Sequence, residues 1–177
     1  MKDVVIVAGV RTPIGNFGGT LKDIPAHKLG ELVVRELLTR AHVDTTLVEE
    51  VIIGCVGHPS DSYNIARVIG LMAGIPVRTP AYSVQRNCSS GLQPFVNAFQ
   101  NIQSHDADVQ VVGGVESMSC APFVSRDMRW GKRLRHTEFI DSIWEGLTDA
   151  FCGQLMGQTA ETLSQEFDIS REEQDTF

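Results

Sequence analysis

Nowhere does the sequence hold the ~20 consecutive apolar residues that a helix needs to cross a bilayer. It also lacks any excess of positive charge: 15 Lys and Arg stand against 22 Asp and Glu, a net charge of −7. A chain of that sign gains no general attraction for polyanions, so nucleic acid and membrane surfaces are not expected partners. Cysteine is sparse and unpaired in pattern. Cys55, Cys88, Cys120 and Cys152 form no CxxC and no disulfide-like spacing, so reduced thiols in a cytoplasmic setting are expected. The apolar run near the N-terminus is broken by Arg11 before a signal-peptide core develops. Internal repeats and low-complexity tracts are missing as well. The expectation is an ordinary soluble intracellular protein.

What is present agrees with that. A chain of 177 residues, 42% hydrophobic and 21% charged, is long enough to bury a proper core. Residues 4–10 are β-branched without a polar break, which suits a strand buried on both faces. The Gly-rich stretch 11–20, with Pro13, reads as a loop. After Pro25, apolar residues at Leu29, Leu32, Val33, Leu37 and Ala41 predict an amphipathic helix. Residues 51–56 read as a second strand. Asn64 caps a helix through Ile65, Val68, Ile69 and Met72, ended by Gly74 and Pro76. Residues 82–85 make a third strand. Ser89 or Ser90 opens a helix with Leu92, Phe95, Val96, Phe99 and Ile102 on its apolar side. Residues 109–112 make a fourth strand, ending in Gly113-Gly114.

Strand and helix alternate throughout this part, which predicts an α/β fold with a mostly parallel sheet and helices. In such sheets, sites form beyond the carboxyl ends of the strands. After Cys120 the alternation stops. Residues 121–153 read as a loop-rich insertion, followed by a helix over about 155–166. The expected division is an α/β core over 1–119 and a second region over 120–177. Ser170-Arg171-Glu172-Glu173 is a capping box that announces a helix, yet only four residues follow it. Since isolated helices below ~12 residues are marginal, the chain reads as a fragment or as half of a split protein.

Cys88 is the residue with the clearest chemistry. It follows a predicted strand and precedes a predicted helix, where exposed N–H groups and the helix dipole favour a thiolate. Gly91 lets backbone pack closely and leaves room beside the sulfur. The same amides can donate to a carbonyl oxygen that turns negative as it is attacked, so the placement suits acyl transfer. A small buried hydrophobe is the alternative reading of any single cysteine, and spacing alone leaves both open. Arg126, Arg129, Lys132, Arg133, Arg135 and His136 crowd one stretch. They read as a solvated loop, or as a basic rim beside an anionic ligand.

Arg86-Asn87-Cys88-Ser89-Ser90-Gly91-Leu92-Gln93 closely resembles the nucleophile segment of thiolases. Other blocks follow in family order. Arg11-Thr12-Pro13-Ile14-Gly15-Asn16-Phe17-Gly18-Gly19 resembles the opening loop. Gly113-Gly114-Val115-Glu116-Ser117-Met118-Ser119 resembles the glycine-rich turn. Gly146-Leu147-Thr148-Asp149-Ala150-Phe151 and Met156-Gly157-Gln158-Thr159-Ala160-Glu161 resemble the loop domain, and Ser170-Arg171-Glu172-Glu173-Gln174-Asp175 the stretch after it.

The resemblance implies the N-terminal half of a thiolase, with residues 120–177 the start of its substrate-binding loop domain. Cys88 would take the acyl group from a coenzyme A thioester, and Leu147 and Met156 would line the acyl pocket. Glu116 would brace its loop rather than act as acid or base. No cofactor beyond the coenzyme A of the substrate is implied, and no metal. The family's histidine base and second cysteine belong to a C-terminal half. None of His27, His42, His58, His105 and His136 has the flanking residues of that histidine, so the missing half is an expected partner and the chain alone is expected to be inactive. A homodimer or homotetramer is implied.

The chain departs from the family pattern at Gln85, where Asn, Ser or Thr is usual, and at Pro94, where a small residue is usual. It departs again at Leu155, where His or Asn is common near the thioester. Residues 54–61 replace a Gly/Gln/Asn-rich loop. These positions bear on chain-length specificity.

Competing readings are weaker. Gly9, Gly15, Gly18 and Gly19 do not form GxGxxG, so dinucleotide binding is not supported. Cys55, His58 and Asp61 lack the fourth ligand that zinc wants. A ketoacyl synthase or hydroxymethylglutaryl-CoA synthase also starts a helix at a cysteine, but the loop-domain blocks argue against both. A scaffold that keeps the fold without the chemistry is the alternative outside enzymes.

Overall fold

Val51-Ile52-Ile53 is a run of β-branched residues, and it forms the middle of strand β1 (Glu50–Gly54), buried from Val51 onward. The computed structural model describes residues 2–177. In it, β1 lies between two parallel neighbours, β2 (Ala81–Val84) and β3 (Gln110–Gly114), in the order β2-β1-β3. Ile52 sits opposite Tyr82 on one side and Val112 on the other.

Strand alternation then sorts side chains onto two faces. Val51, Ile53 and Val111 join the buried residues of helices α1 (Ala26–Ala41) and α2 (Ile65–Met72) in the hydrophobic core. Glu50, Tyr82 and Gln110 reach the other way, toward α3 (Gln93–Ser104). Asn101 Nδ2 donates to Glu50 Oε2 at 2.6 Å, Asn97 Nδ2 to the Tyr82 hydroxyl at 3.1 Å, and Gln110 Nε2 to the Ala98 carbonyl at 3.2 Å. The chain leaves β1 for β2 and then crosses back to β3. Right-handed crossovers therefore place α2 and α3 on opposite faces, and the direction reverses between β1 and β3. The carboxyl ends of those two strands are the switch point at which such sheets bind ligands.

Local chemistry ends the elements as the sequence predicts. Asn64 Oδ1 accepts from the Arg67 N–H at 3.1 Å, capping α2, while its Nδ2 donates to the Ala81 carbonyl at 3.0 Å and ties the cap to β2. Gly74 follows α2 at φ +88°.

Three expectations need correction. Residues 4–10 form no strand among the described residues, and Val5, Ile6 and Val7 are exposed. The segment is anchored at its start, where Lys2 pairs with Asp108 and its carbonyl accepts from Gln103. Apolar patterning expresses a need for burial, but a strand also needs a neighbouring backbone edge. In α1 the buried stripe is Ala26, Gly30, Val34 and Leu38, and Leu32 is exposed. In α3 the buried residues are Pro94 and Ala98, whereas Leu92, Phe95, Val96 and Phe99 remain exposed among the described residues. The face of α3 that meets the sheet is thus small and polar, and the apolar face points away.

The chain divides into two compact units, the first ending at Cys120 and the second being Ala121–Phe177. The second unit is not all loop. Strands β4 (Phe123–Val124) and β5 (Ile140–Asp141) pair antiparallel, and α4 (Ser142–Gly146) follows with the Asp141 carboxylate capping Ile143 N–H. Helices α5 (Met156–Glu166) and α6 (Arg171–Thr176) complete it. The box at Ser170 forms: its hydroxyl accepts from the Glu173 N–H, and Glu173 accepts from the Ser170 N–H at 2.8 Å. Among the described residues, no helix is long and apolar enough to cross a membrane.

Candidate active site

β2 ends at Val84, and α3 does not begin until Gln93. Ser89 and Ser90 do not open the helix; they close turns. Ser89 N–H donates to the Arg86 carbonyl at 3.1 Å, Ser90 N–H to Asn87 at 3.0 Å, and Leu92 N–H to Ser89 at 3.1 Å. Pro94 explains the delay. It has no N–H to give, and its ring would strike the carbonyl four residues back, at Ser90. In the first turn of α3, which begins at Gln93, neither problem arises.

Cys88 therefore sits in a turn, five residues before the first helical residue, and its thiol is free and exposed. A helix dipole acts within about the first turn, so Cys88 stands outside the reach expected of the α3 dipole. The amides of the turn remain. Among the described residues, nothing accepts from the backbone N–H of Cys88 or of Gly91.

The turn rests on the ends of two strands through glycine. A Cβ on Gly54, the last residue of β1, would collide with the Ser90 carbonyl. A Cβ on Gly114, the last residue of β3, would lie 2.8 Å from Gly91 Cα. Only backbone without side chains allows this approach, and it seats the Cys88 turn over the switch point. Ser90, only 4% exposed, fastens the turn from within: its hydroxyl accepts from Arg86 N–H at 2.8 Å and donates to the Asn87 carbonyl at 2.7 Å. Asn87 itself is held at φ +48°.

The glycine-rich stretch after β3 ties neighbouring loops to this end of the sheet. Glu116 Oε2 accepts from the Val56 N–H at 2.8 Å, and Oε1 from the Gly57 N–H at 3.3 Å. Glu116 thus braces the loop after β1. It also lies 3.6 Å from the Cys55 thiol, and burial together with that carboxylate pushes Cys55 up to about 11. A buried thiol kept protonated is no nucleophile. Ser117 Oγ donates to the Ile24 carbonyl at 2.9 Å, and Ser119 Oγ accepts from the Gly18 N–H at 3.0 Å, joining the opening loop to the same stretch.

In the second unit, Leu147 and Met156 come together, with the Met156 N–H donating to the Leu147 carbonyl at 3.0 Å. They line an open cavity of about 700 Å³ with Trp144, Leu155 and Gln158. The Leu155 N–H is held by Gln158 Oε1 at 2.8 Å as α5 begins. Two members of the basic cluster are paired: Arg126 grips Glu145 through two 2.8 Å bonds, and Lys132 pairs with Asp127. Arg129, Arg133, Arg135 and His136 are exposed.

The family model described as "Thiolase, N-terminal domain" matches residues 4–177. The chain belongs to the thiolase family.

Relatives agree. The chain is 42% identical over 179 residues to an acetyl-CoA acetyltransferase of Syntrophomonas wolfei, covering 99% of this chain and 45% of that protein. The structure of the Bacillus anthracis acetyl-CoA acetyltransferase superposes with a TM-score of 0.91 at 44% identity, covering 97% of this chain and 44% of that one. Human mitochondrial 3-ketoacyl-CoA thiolase, solved in complex with CoA, superposes with a TM-score of 0.89 at 42% identity, covering 96% and 44%. The chain spans less than half the length of the thiolases it matches, and its α/β fold is that of their N-terminal half.

Sequence reasoning singled out the Cys88 segment but not the contacts that hold its turn. Gly54 and Gly114, each at the end of a β-branched run, carried a readable signal, since glycine there often marks close backbone approach. Nothing in the sequence distinguished Ser90 from Ser89.

Proposed function

We propose that the chain is the nucleophile-bearing half of an acyl-CoA C-acyltransferase that forms or cleaves 3-ketoacyl-CoA. The observation that carries this reading is an exposed, free Cys88 in a turn packed over the carboxyl ends of β1 and β3. Cys88, as thiolate, attacks the carbonyl carbon of an acyl-CoA thioester. The carbonyl oxygen takes the negative charge beside the unpartnered amides of the turn, and the carbonyl re-forms as the coenzyme A thiolate leaves. The α-carbon of a second acyl-CoA then attacks the acyl-cysteine, giving 3-ketoacyl-CoA and returning Cys88. Cleavage runs these steps backward.

The base that deprotonates Cys88 and the group that moves the α-proton come from a C-terminal half of the kind the longer relatives carry. Leu147 and Met156 hold the apolar part of the acyl group, and coenzyme A enters as substrate rather than as a resident cofactor. The assembled protein is a homodimer or homotetramer, and the four free thiols fit the reducing cytoplasm.

Competitive alkylation of the complete protein at pH 8 tests the proposal. Iodoacetamide should modify Cys88 faster than Cys120 or Cys152, leave buried Cys55 untouched, and be blocked at Cys88 by acetyl-CoA. Equal rates at the three exposed thiols, with no protection by acetyl-CoA, would favour a non-catalytic scaffold.

A further inference from the structure

We propose that Ser90 is the positioning residue that sets the geometry of the Cys88 turn for acyl transfer. The inference rests on Cys88 being the nucleophile. The Ser90 side chain is buried and its hydroxyl both accepts and donates, with one bond from the Arg86 N–H before the cysteine and one to the Asn87 carbonyl beside it. These two bonds bracket Cys88, and Ser90's own amide donates to that same Asn87 carbonyl. The Asn87 carbonyl is therefore held twice by Ser90, with Asn87 at φ +48°, a left-handed conformation that glycine adopts freely, asparagine less so and alanine at a cost.

The strain and the clamp make one device. Asn87 turns the chain so that the Cys88 side chain faces out while the Cys88 and Gly91 amides stay free of backbone carbonyls. Below the turn, Gly54 and Gly114 fix its height, because the Ser90 carbonyl and Gly91 Cα pack directly on them. Without the Ser90 hydroxyl, the Arg86 N–H loses its partner and the Asn87 carbonyl keeps only the Ser90 amide, so Asn87 is freer to relax toward negative φ. The thiol remains exposed, but its alignment with the amides changes. Acyl transfer needs that alignment; simple alkylation does not.

The test compares Ser90→Ala, Ser90→Thr, Asn87→Ala and Asn87→Gly in the complete enzyme, with acetyl-CoA as substrate and iodoacetamide as a geometry-independent probe of Cys88. Ser90→Ala should lower kcat up to about 100-fold, the scale of a misplacement near 1 Å, with KM for acetyl-CoA and the alkylation rate kept within about threefold. Ser90→Thr, which keeps the hydroxyl, should restore most of kcat. Should Ser90→Ala not fold, the exposed Asn87 pair carries the test: alanine should lower kcat and glycine, which adopts positive φ freely, should not. A Ser90→Ala enzyme with wild-type kcat, or Asn87 variants that behave alike, would overturn the assignment. Wild-type protein that never carries an acyl group on Cys88 would overturn the nucleophile reading first, which separates the two failures.

Discussion

Gly54 and Gly114 show how much of this site depends on side chains that are not there. Each ends a strand, and each lets the Cys88 turn settle onto backbone. At Gly114 an added Cβ would sit 2.8 Å from Gly91 Cα, a contact with backbone that cannot swing aside. Gly114→Ala should therefore push the turn off the sheet, costing about 2 kcal/mol of stability as overpacking does and lowering acyl transfer more than alkylation of Cys88. Urea denaturation read beside the two rates checks this. A variant as stable and as active as the parent would show that the turn does not rest there. Cys55 and Cys88 make the complementary point. They follow adjacent strands, yet one is buried against Glu116 with its thiol pushed up to about 11 and the other is exposed and free. Composition could not separate them; the fold does.

At the scale of elements, α2 is the best test of what the sequence specifies. Asn64 both caps the helix and holds β2 through the Ala81 carbonyl. Asn64→Ala should cost about 1 kcal/mol or somewhat more, because the cap bond and the tie to β2 go together. Asn64→Asp, which keeps the cap acceptor but not the amide donor, should fall between, and thermal melts of the three proteins would order them. Elements like this were legible because their signals are local: a β-branched run for β1, a cap and a glycine for α2, a box at Ser170 for α6. Residues 4–10 carried an equally plain signal and form no strand, since pairing depends on an edge elsewhere in the chain. α3 misled in another way. Its periodic residues Leu92, Phe95, Val96 and Phe99 lie opposite the sheet, while Pro94 and Ala98, too small to stand out in a pattern, face it. The Cys88 segment stood out through family resemblance, but the support of its turn did not, because the left-handed backbone at Asn87 and the bonds of Ser90 are three-dimensional facts with no periodicity.

For the whole molecule, the parallel sheet has its switch point at the ends of β1 and β3, and the chain belongs to the thiolase family. The chain matches less than half of its relatives' length, and it leaves apolar residues exposed at Val5, Ile6, Val7 and along α3. The chemical event we propose for this half is transfer of an acyl group onto Cys88. Its most direct measurement is to incubate the complete protein with acetyl-CoA, quench in acid and map the peptides by mass. A single acetyl group on the peptide carrying Cys88, lost in Cys88→Ser, is the predicted result. An acetyl group carried elsewhere, or a Cys88 peptide that stays unmodified while coenzyme A is released, would contradict it.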